Sequence, residues 1–240
     1  MQVRKYLFVL YIIIFTPLPC FAGADIAKND QDGIITITSD FVFYGSLAKA
    51  EIVKSLFDRT QEIWVEHNNF TIQMDNKTYS LRFVLSYRIV SEFKAKLISL
   101  FSSSYETVLV RIDENNGMNV AFSILGNNSM QIPRKKLYGT DDSVLAHEYG
   151  HILGLEHHKR EFCQTAQEGP EYPLMCVANS FAGGDYDNST IELFKKHAVT
   201  NFELEDLAKL VGAVAFKKNG KGKLLNNEKI YYEETFPFIK

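Results

Sequence analysis

Along Ile34–Tyr44 (IITITSDFVFY) apolar and polar residues begin by alternating, and β-branched and aromatic side chains dominate, which predicts a strand. Gly45-Ser46 then offers a turn and a helix cap. Beyond it Leu47, Ile52, Val53, Leu56, Phe57, Ile63 and Trp64 recur at helical spacing, so Leu47–Val65 reads as a helix. A short strand Phe70–Met74, a polar turn Asp75–Lys77 and the alternating run Tyr79–Val90 read as a hairpin. Ser91–Phe101 predicts a short helix and Thr107–Ile112 a buried strand. Asn115-Asn116-Gly117 is a turn signal, and Asn119–Leu125 and Met130–Lys135 follow as strands. Thr140-Asp141-Asp142-Ser143 places cap residues and negative charge ahead of the next helix. Phe202–Val214 is amphipathic, with Thr200 and Asn201 as cap candidates. The tail from Lys217 opens with KKNGKGK and ends in aromatics, as a solvated linker with a docked strand or arm would.

The start of the chain has a different character. Arg4 and Lys5 precede the apolar run Tyr6–Phe15, Pro17 and Pro19 break it, and Ala22-Gly23-Ala24 fits a small-residue cleavage site. Residues 1–24 therefore read as a signal peptide, with export to a secreted or periplasmic location and no membrane span once it is removed. Lipidation at Cys20 is disfavoured by the Pro17-Leu18-Pro19 context. Residues 25–33 (DIAKNDQDG) are polar and read as a flexible segment, 34–215 as one domain, and 216–240 as the tail. The 240 residues suffice for one sizeable core, and 46% hydrophobic with 23% charged residues is ordinary for a globular protein. Net charge is −3 with no basic stripe, so nothing points to nucleic acid. Of three cysteines, Cys163 and Cys176 remain after the leader, and export makes a disulfide between them the natural expectation.

The chemistry concentrates in Ala146–His158 (AHEYGHILGLEHH), where His147, Glu148, His151, Gly154 and His157 fall as H-E-x-x-H-x-x-G-x-x-H. On a helix His147 and His151 leave one face a turn apart, a separation that suits two ligands of one small tetrahedral ion. Glu148, beside the first, is placed to take a proton from water activated by that ion. Gly154 lets the helix stop in a left-handed cap, after which the chain can return His157 as a third ligand. Three histidines leave a fourth position for water, the mark of a catalytic rather than structural zinc site.

Downstream, Tyr172–Cys176 reads YPLMC, with Met175 where this motif expects a methionine turn. On those two motifs the chain resembles the metzincin clan of zinc endopeptidases. The resemblance implies His147, His151 and His157 as ligands of one Zn2+, Glu148 as general base, and Gly154 and Met175 as structural residues. It also implies an α+β fold: a twisted mixed sheet of about five strands, a backing helix, the ligand helix, and a mostly irregular lower part ending in a C-terminal helix. In such proteins an edge strand pairs with an extended protein or peptide substrate, and Asn119–Leu125 is the candidate here. The expected activity is that of a monomeric, secreted endopeptidase. The rival classes are an exported binding module or adhesin on an inactive scaffold, and a zinc amidase acting on cell-wall peptides.

Several positions depart from the clan or add nothing to it. Astacins and serralysins place a tyrosine two residues after the methionine, where this chain has Val177. No cysteine switch is present; Asp25, Asp30 and Asp32 read as an ordinary solvated terminus. His158 reads as a surface imidazole, and His67 and His197 as structural or exposed. Ser180–Thr190 lacks the carboxylate spacing of an EF-hand, which leaves calcium without support.

Overall fold

The protein is described by a computed structural model, which covers residues 23–66, 70–74, 76–101, 105–114, 121–124, 128–137, 143–176, 188–225 and 230–232. Of the signal-peptide reading of 1–24, residues 1–22 lie outside these, as do His67, Asn115-Asn116-Gly117, Thr140-Asp141-Asp142, Val177 and most of Ser180–Thr190, whereas Gly23 and Ala24 are corrected to paired strand residues of the fold.

Strands β1 (Gly23–Asn29) and β2 (Ile34–Tyr44) form an antiparallel hairpin. Its turn is closed by Asn29 Oδ1, which accepts from the Gln31 and Asp32 N–H groups at 3.0 and 3.2 Å. The expectation of a flexible 25–33 is thereby corrected. Ala24 and Ile26 are buried, and Asp25–Asn29 pairs residue for residue with Thr38–Ile34. Backbone pairing on both edges of β1, rather than a run of large apolar side chains, holds this segment.

Helix α1 (Ala50–Gln61) buries Val53, Leu56, Phe57 and Thr60 and runs on into a wider π-helical turn, Glu62–Glu66, that buries Ile63 and Trp64. It starts later than the periodicity predicts because Ser46 is engaged elsewhere. The Ser46 N–H and Oγ–H both donate to Asp113 Oδ1, at 2.8 and 3.0 Å. β3 (Thr71–Met74) and β4 (Lys77–Ile89) make the expected antiparallel hairpin, turned through Asn76 at φ +60°. β4 then runs parallel to β2 from Ile34, facing Ser80, to Phe43, facing Ile89. After α2 (Glu92–Phe101), β5 (Thr107–Asp113) returns parallel to the second half of β2. β6 (Phe122–Ile124) and β7 (Ser129–Pro133) pair antiparallel, and β7 continues the sheet beside β5.

Helix α3 (Val144–Leu153) follows, and all ten of its residues are buried. Next come α4 (Arg160–Ala166), β8 (Tyr172–Pro173), α5 (Asn188–Lys195), β9 (His197–Ala198) and α6 (Asn201–Gly212). The part expected to be mostly irregular therefore carries three helices and a short parallel β8–β9 pair among its described residues. β10 (Lys221–Leu225) pairs antiparallel with β1, and β11 (Ile230–Tyr232) with β6. Among the described residues the architecture is mixed α+β on a nine-stranded mixed sheet, larger than the one expected because Gly23–Asn29, Lys221–Leu225 and Ile230–Tyr232 enter it as β1, β10 and β11. The candidate edge strand also needs correction, since β6 lies between β7 and β11 rather than at an open edge.

The main core lies between sheet and helices and seats α3. Tyr149 of α3 is wholly buried, packs edge-on against Phe41 and Trp64, and joins its hydroxyl to that of Ser39 at 2.9 Å. Trp64 Nε1–H donates to the Ala146 carbonyl at 3.2 Å, so α1 also holds the start of α3. Burying each such aromatic contributes about 2–3 kcal/mol, enough to fix the helix on the sheet.

Candidate metal centre

His147 and His151 lie one turn apart on α3, with ring centroids 5.0 Å apart and planes nearly perpendicular. The helix then ends in a paired C-terminal cap. Gly154 sits at φ +102°, its N–H donates to the His151 carbonyl and the Leu155 N–H to the Gly150 carbonyl, both at 2.9 Å. Only glycine adopts that angle without a steric penalty, and the reversal it permits brings His157 back toward the helix. His157 Nε2 lies 3.0 Å from Nε2 of both His147 and His151.

Two backbone carbonyls decide which ring nitrogens carry protons. His147 Nδ1–H donates to Leu174 O at 2.7 Å and His151 Nδ1–H to Leu155 O at 2.8 Å. Each neutral ring therefore turns an Nε2 lone pair toward the common centre. Burial pushes the His147 pKa down to about 4, against the opposing pull of the Leu174 carbonyl. Burial, aided by the neighbouring His147, takes His151 down to about 3, and the same causes lower His157 well below its usual value. All three are neutral at pH 7, the state in which imidazole binds a metal. Their ligand nitrogens all lie within 4.8 Å of one another. Tetrahedral zinc at 2.0–2.1 Å holds its ligand nitrogens roughly 3.3 Å apart, close to the spacings seen. Lone pairs converging in a buried place repel unless a cation sits among them, and the three histidines can hold one.

Glu148 is buried on the same helix, and its Oε2 accepts from the Ser123 hydroxyl of β6 at 2.6 Å. That hydroxyl also lies 3.0 Å from the Glu148 carbonyl, so Ser123 links β6 to both the carboxylate and the backbone of α3.

The segment 174–176 lies under the helix. Leu174 supplies the carbonyl that orients His147, Met175 is buried with Sδ against Gly150, and Cys176 is bonded to Cys163 (Cα–Cα 5.4 Å). A Cβ on Gly150 would overlap Met175 Sδ, so glycine lets the two segments meet. The disulfide closes the segment onto α4, as the cysteine count predicts.

Glu203 of α6 ties these parts together and was missed in the sequence reading. Its Oε1 accepts from Met175 N–H and from His158 Nε2–H, both at 3.0 Å. Its Oε2 accepts from the Thr200 N–H at 2.9 Å and from the Thr200 hydroxyl. Burial raises the Glu203 pKa, but the bonds from His158, Thr200 and Met175 outweigh it and hold it below the usual carboxylate range. The sequence signal was there: Thr200-x-x-Glu203 is a capping box, and its acidic member also reaches into the core. His158 is corrected with it, since the imidazole is mostly buried and paired with Glu203, and the backbone N–H of His158 donates to Met175 O at 3.1 Å. His197 is likewise buried, stacked on Tyr172 at 5.2 Å, with Nδ1 2.8 Å from the Ser143 hydroxyl. Ser143 thus precedes α3 without capping it through its side chain.

No family model and no curated protein matches the chain. Among solved structures it is similar to archaemetzincin from Methanopyrus kandleri, at 12% identity and a TM-score of 0.37. That alignment covers 72% of this chain and 94% of the other. A likeness at that level adds nothing to the site geometry described above.

Proposed function

We propose that this protein is an exported, zinc-dependent endopeptidase acting on protein or peptide chains bound in extended form. The observation that carries the reading is the convergence of three neutral imidazoles, with the buried carboxylate of Glu148, next along the helix from His147, held by Ser123. His147, His151 and His157 would hold the ion through Nε2, the nitrogens that the Leu174 and Leu155 carbonyls leave unprotonated on the first two. Bound there, zinc would supply Lewis acidity, the property that lowers the pKa of water to about 7 and polarises a carbonyl. Glu148 accepts the proton from the attacking water and passes it to the departing amine. Ser123 fixes the carboxylate through Oε2, so the proton acceptor is in place before substrate arrives. The Cys163–Cys176 bond supports export, since such bonds persist in oxidising compartments. Among the described residues no helix is long and apolar enough to cross a membrane.

Glu148→Gln tests the assignment. The variant should keep its fold and its zinc, measured by atomic absorption, and lose about 100-fold or more of its casein-hydrolysing activity. Near-full hydrolysis by that variant would refute the role given to Glu148.

A further inference from the structure

Strand β6 carries the contact to Glu148, and both of its edges are in use. On one side Phe122, Ser123 and Ile124 face Gln131, Met130 and Ser129 of β7. On the other they face Tyr232, Tyr231 and Ile230 of β11, running antiparallel. Neighbouring strands lie about 4.8 Å apart, so the backbone of Tyr231 is one strand spacing from the residue that holds the carboxylate. A strand edge offers a single row of N–H and C=O groups. A peptide adding to this edge needs the row that β11 already uses.

We propose that the outer edge of β6 is a peptide-docking strand whose resident occupant is the chain's own C-terminal strand, Ile230–Tyr232, which an extended peptide must displace. The proposal rests on the peptidase reading and adds a regulation to it.

Connectivity favours the occupant. β10 ends at Leu225 opposite Gly23, whose N–H donates to Asn128 Oδ1 at 3.1 Å. Asn128 adjoins Ser129, which faces Ile124, which in turn faces Ile230. The chain thus leaves β10 beside the end of β6 that β11 joins. Only residues 226–229 intervene, and five Cα steps reach at most about 18 Å. A tether that short gives a local concentration of order millimolar, which an external peptide has to outcompete. If the tail holds the edge about nine-tenths of the time, the apparent affinity for a peptide falls about tenfold.

Proline replaces an N–H with a ring, and successive N–H groups of a strand point to opposite edges. Of Ile230→Pro and Tyr231→Pro, one therefore removes a donor facing β6. Both variants are made in the full mature chain. Two quantities are read: deuterium exchange at the amides of Phe122–Ile124, and hydrolysis of fluorescein-labelled casein by the zinc-loaded protein. At least one proline should raise exchange at β6 several-fold with Ile35–Val42 of β2 unchanged, and raise kcat/KM for casein by about tenfold through KM. Should both prolines also loosen β2, exchange is read instead after cutting a protease site inserted between Leu225 and Ile230. Unchanged exchange at β6 overturns the proposal whatever the activity. Raised exchange with unaltered casein hydrolysis overturns the claim that substrate uses this edge. Raised exchange in a protein that never cleaves casein, parent or variant, upholds the occupancy and instead refutes the peptidase reading.

Discussion

Replacing Glu203 by glutamine keeps the size of the side chain and removes its charge. At present each carboxylate oxygen accepts two bonds, Oε1 from Met175 N–H and His158 Nε2–H, Oε2 from the Thr200 N–H and hydroxyl. Whichever way the new amide turns, its NH2 group confronts two of those donors. The histidine can change tautomer and the hydroxyl can rotate, but a backbone N–H cannot adapt. At least one N–H is therefore stranded without an acceptor, at about 1–3 kcal/mol, and the charge assistance of the others is lost. A net destabilisation of about 2–3 kcal/mol corresponds to a fall in Tm of about 5–10 °C for a chain of this length. Stability alone would make Glu203 merely structural. Its placement predicts a second effect, because it fixes Met175, next to the Leu174 carbonyl that orients His147, and His158, next to His157. Loss of such outer supports weakens metal binding by about 10–100-fold. Thermal unfolding of the zinc-free protein measures the first effect, and competition with a chromophoric chelator measures the second. A variant with the parental Tm and the parental zinc Kd would refute the reasoning. A lowered Tm with unchanged zinc affinity would restrict Glu203 to capping α6.

Three further outcomes are expected. Cys163→Ala with Cys176→Ala opens the bridged loop, which on the chain-entropy model costs about 3 kcal/mol; a Tm equal to that of the oxidised parent in calorimetry would count against it. Gly150→Ala gains about 1 kcal/mol of helix propensity but drives a Cβ into Met175 Sδ; because Met175 is buried, overpacking should win and lower the urea midpoint, whereas a raised midpoint would show that the methionine moves aside. The third concerns pH and follows from the depressed histidines. His147 and His151 have folded pKa values of about 4 and about 3, while the unfolded chain binds protons near 6.5, so acidification favours unfolding. Stability of the zinc-free protein should be full above about pH 6.5 and fall toward pH 4 by about 1.4 kcal/mol per unit for each group; urea midpoints equal at about pH 7 and pH 5 would contradict this.

The sequence was readable wherever one segment carried its own signal. Alternation in Ile34–Tyr44 and Tyr79–Val90, the helical spacing after Leu47, and Gly154 after the last histidine turn are all local, and each corresponds to an observed element. What escaped depends on partners far along the chain. Residues 25–29 form a strand because β2 and β10 lie on either side of them, and nothing in their polar sequence announces that. The β6 edge reads as open until β11, about a hundred residues later, is seen against it. Ser123 is unremarkable in sequence, and Glu203 announces itself there only as the acidic member of a capping box. Their importance comes from 25 and 28 residues of separation being brought to hydrogen-bond distance of Glu148 and Met175. Ser46 reads as a helix cap, but a long-range bond to Asp113 claims it.

The chain's single tryptophan, Trp64, is buried with its indole N–H on the carbonyl of Ala146, the residue just before His147, and its ring against Tyr149. Its emission should therefore act as a label-free optical gauge of this helix, isolated from any other indole. Loading or stripping the ion, or loosening the helix, can then be followed in real time by colour and intensity alone, in a cuvette and with no substrate added.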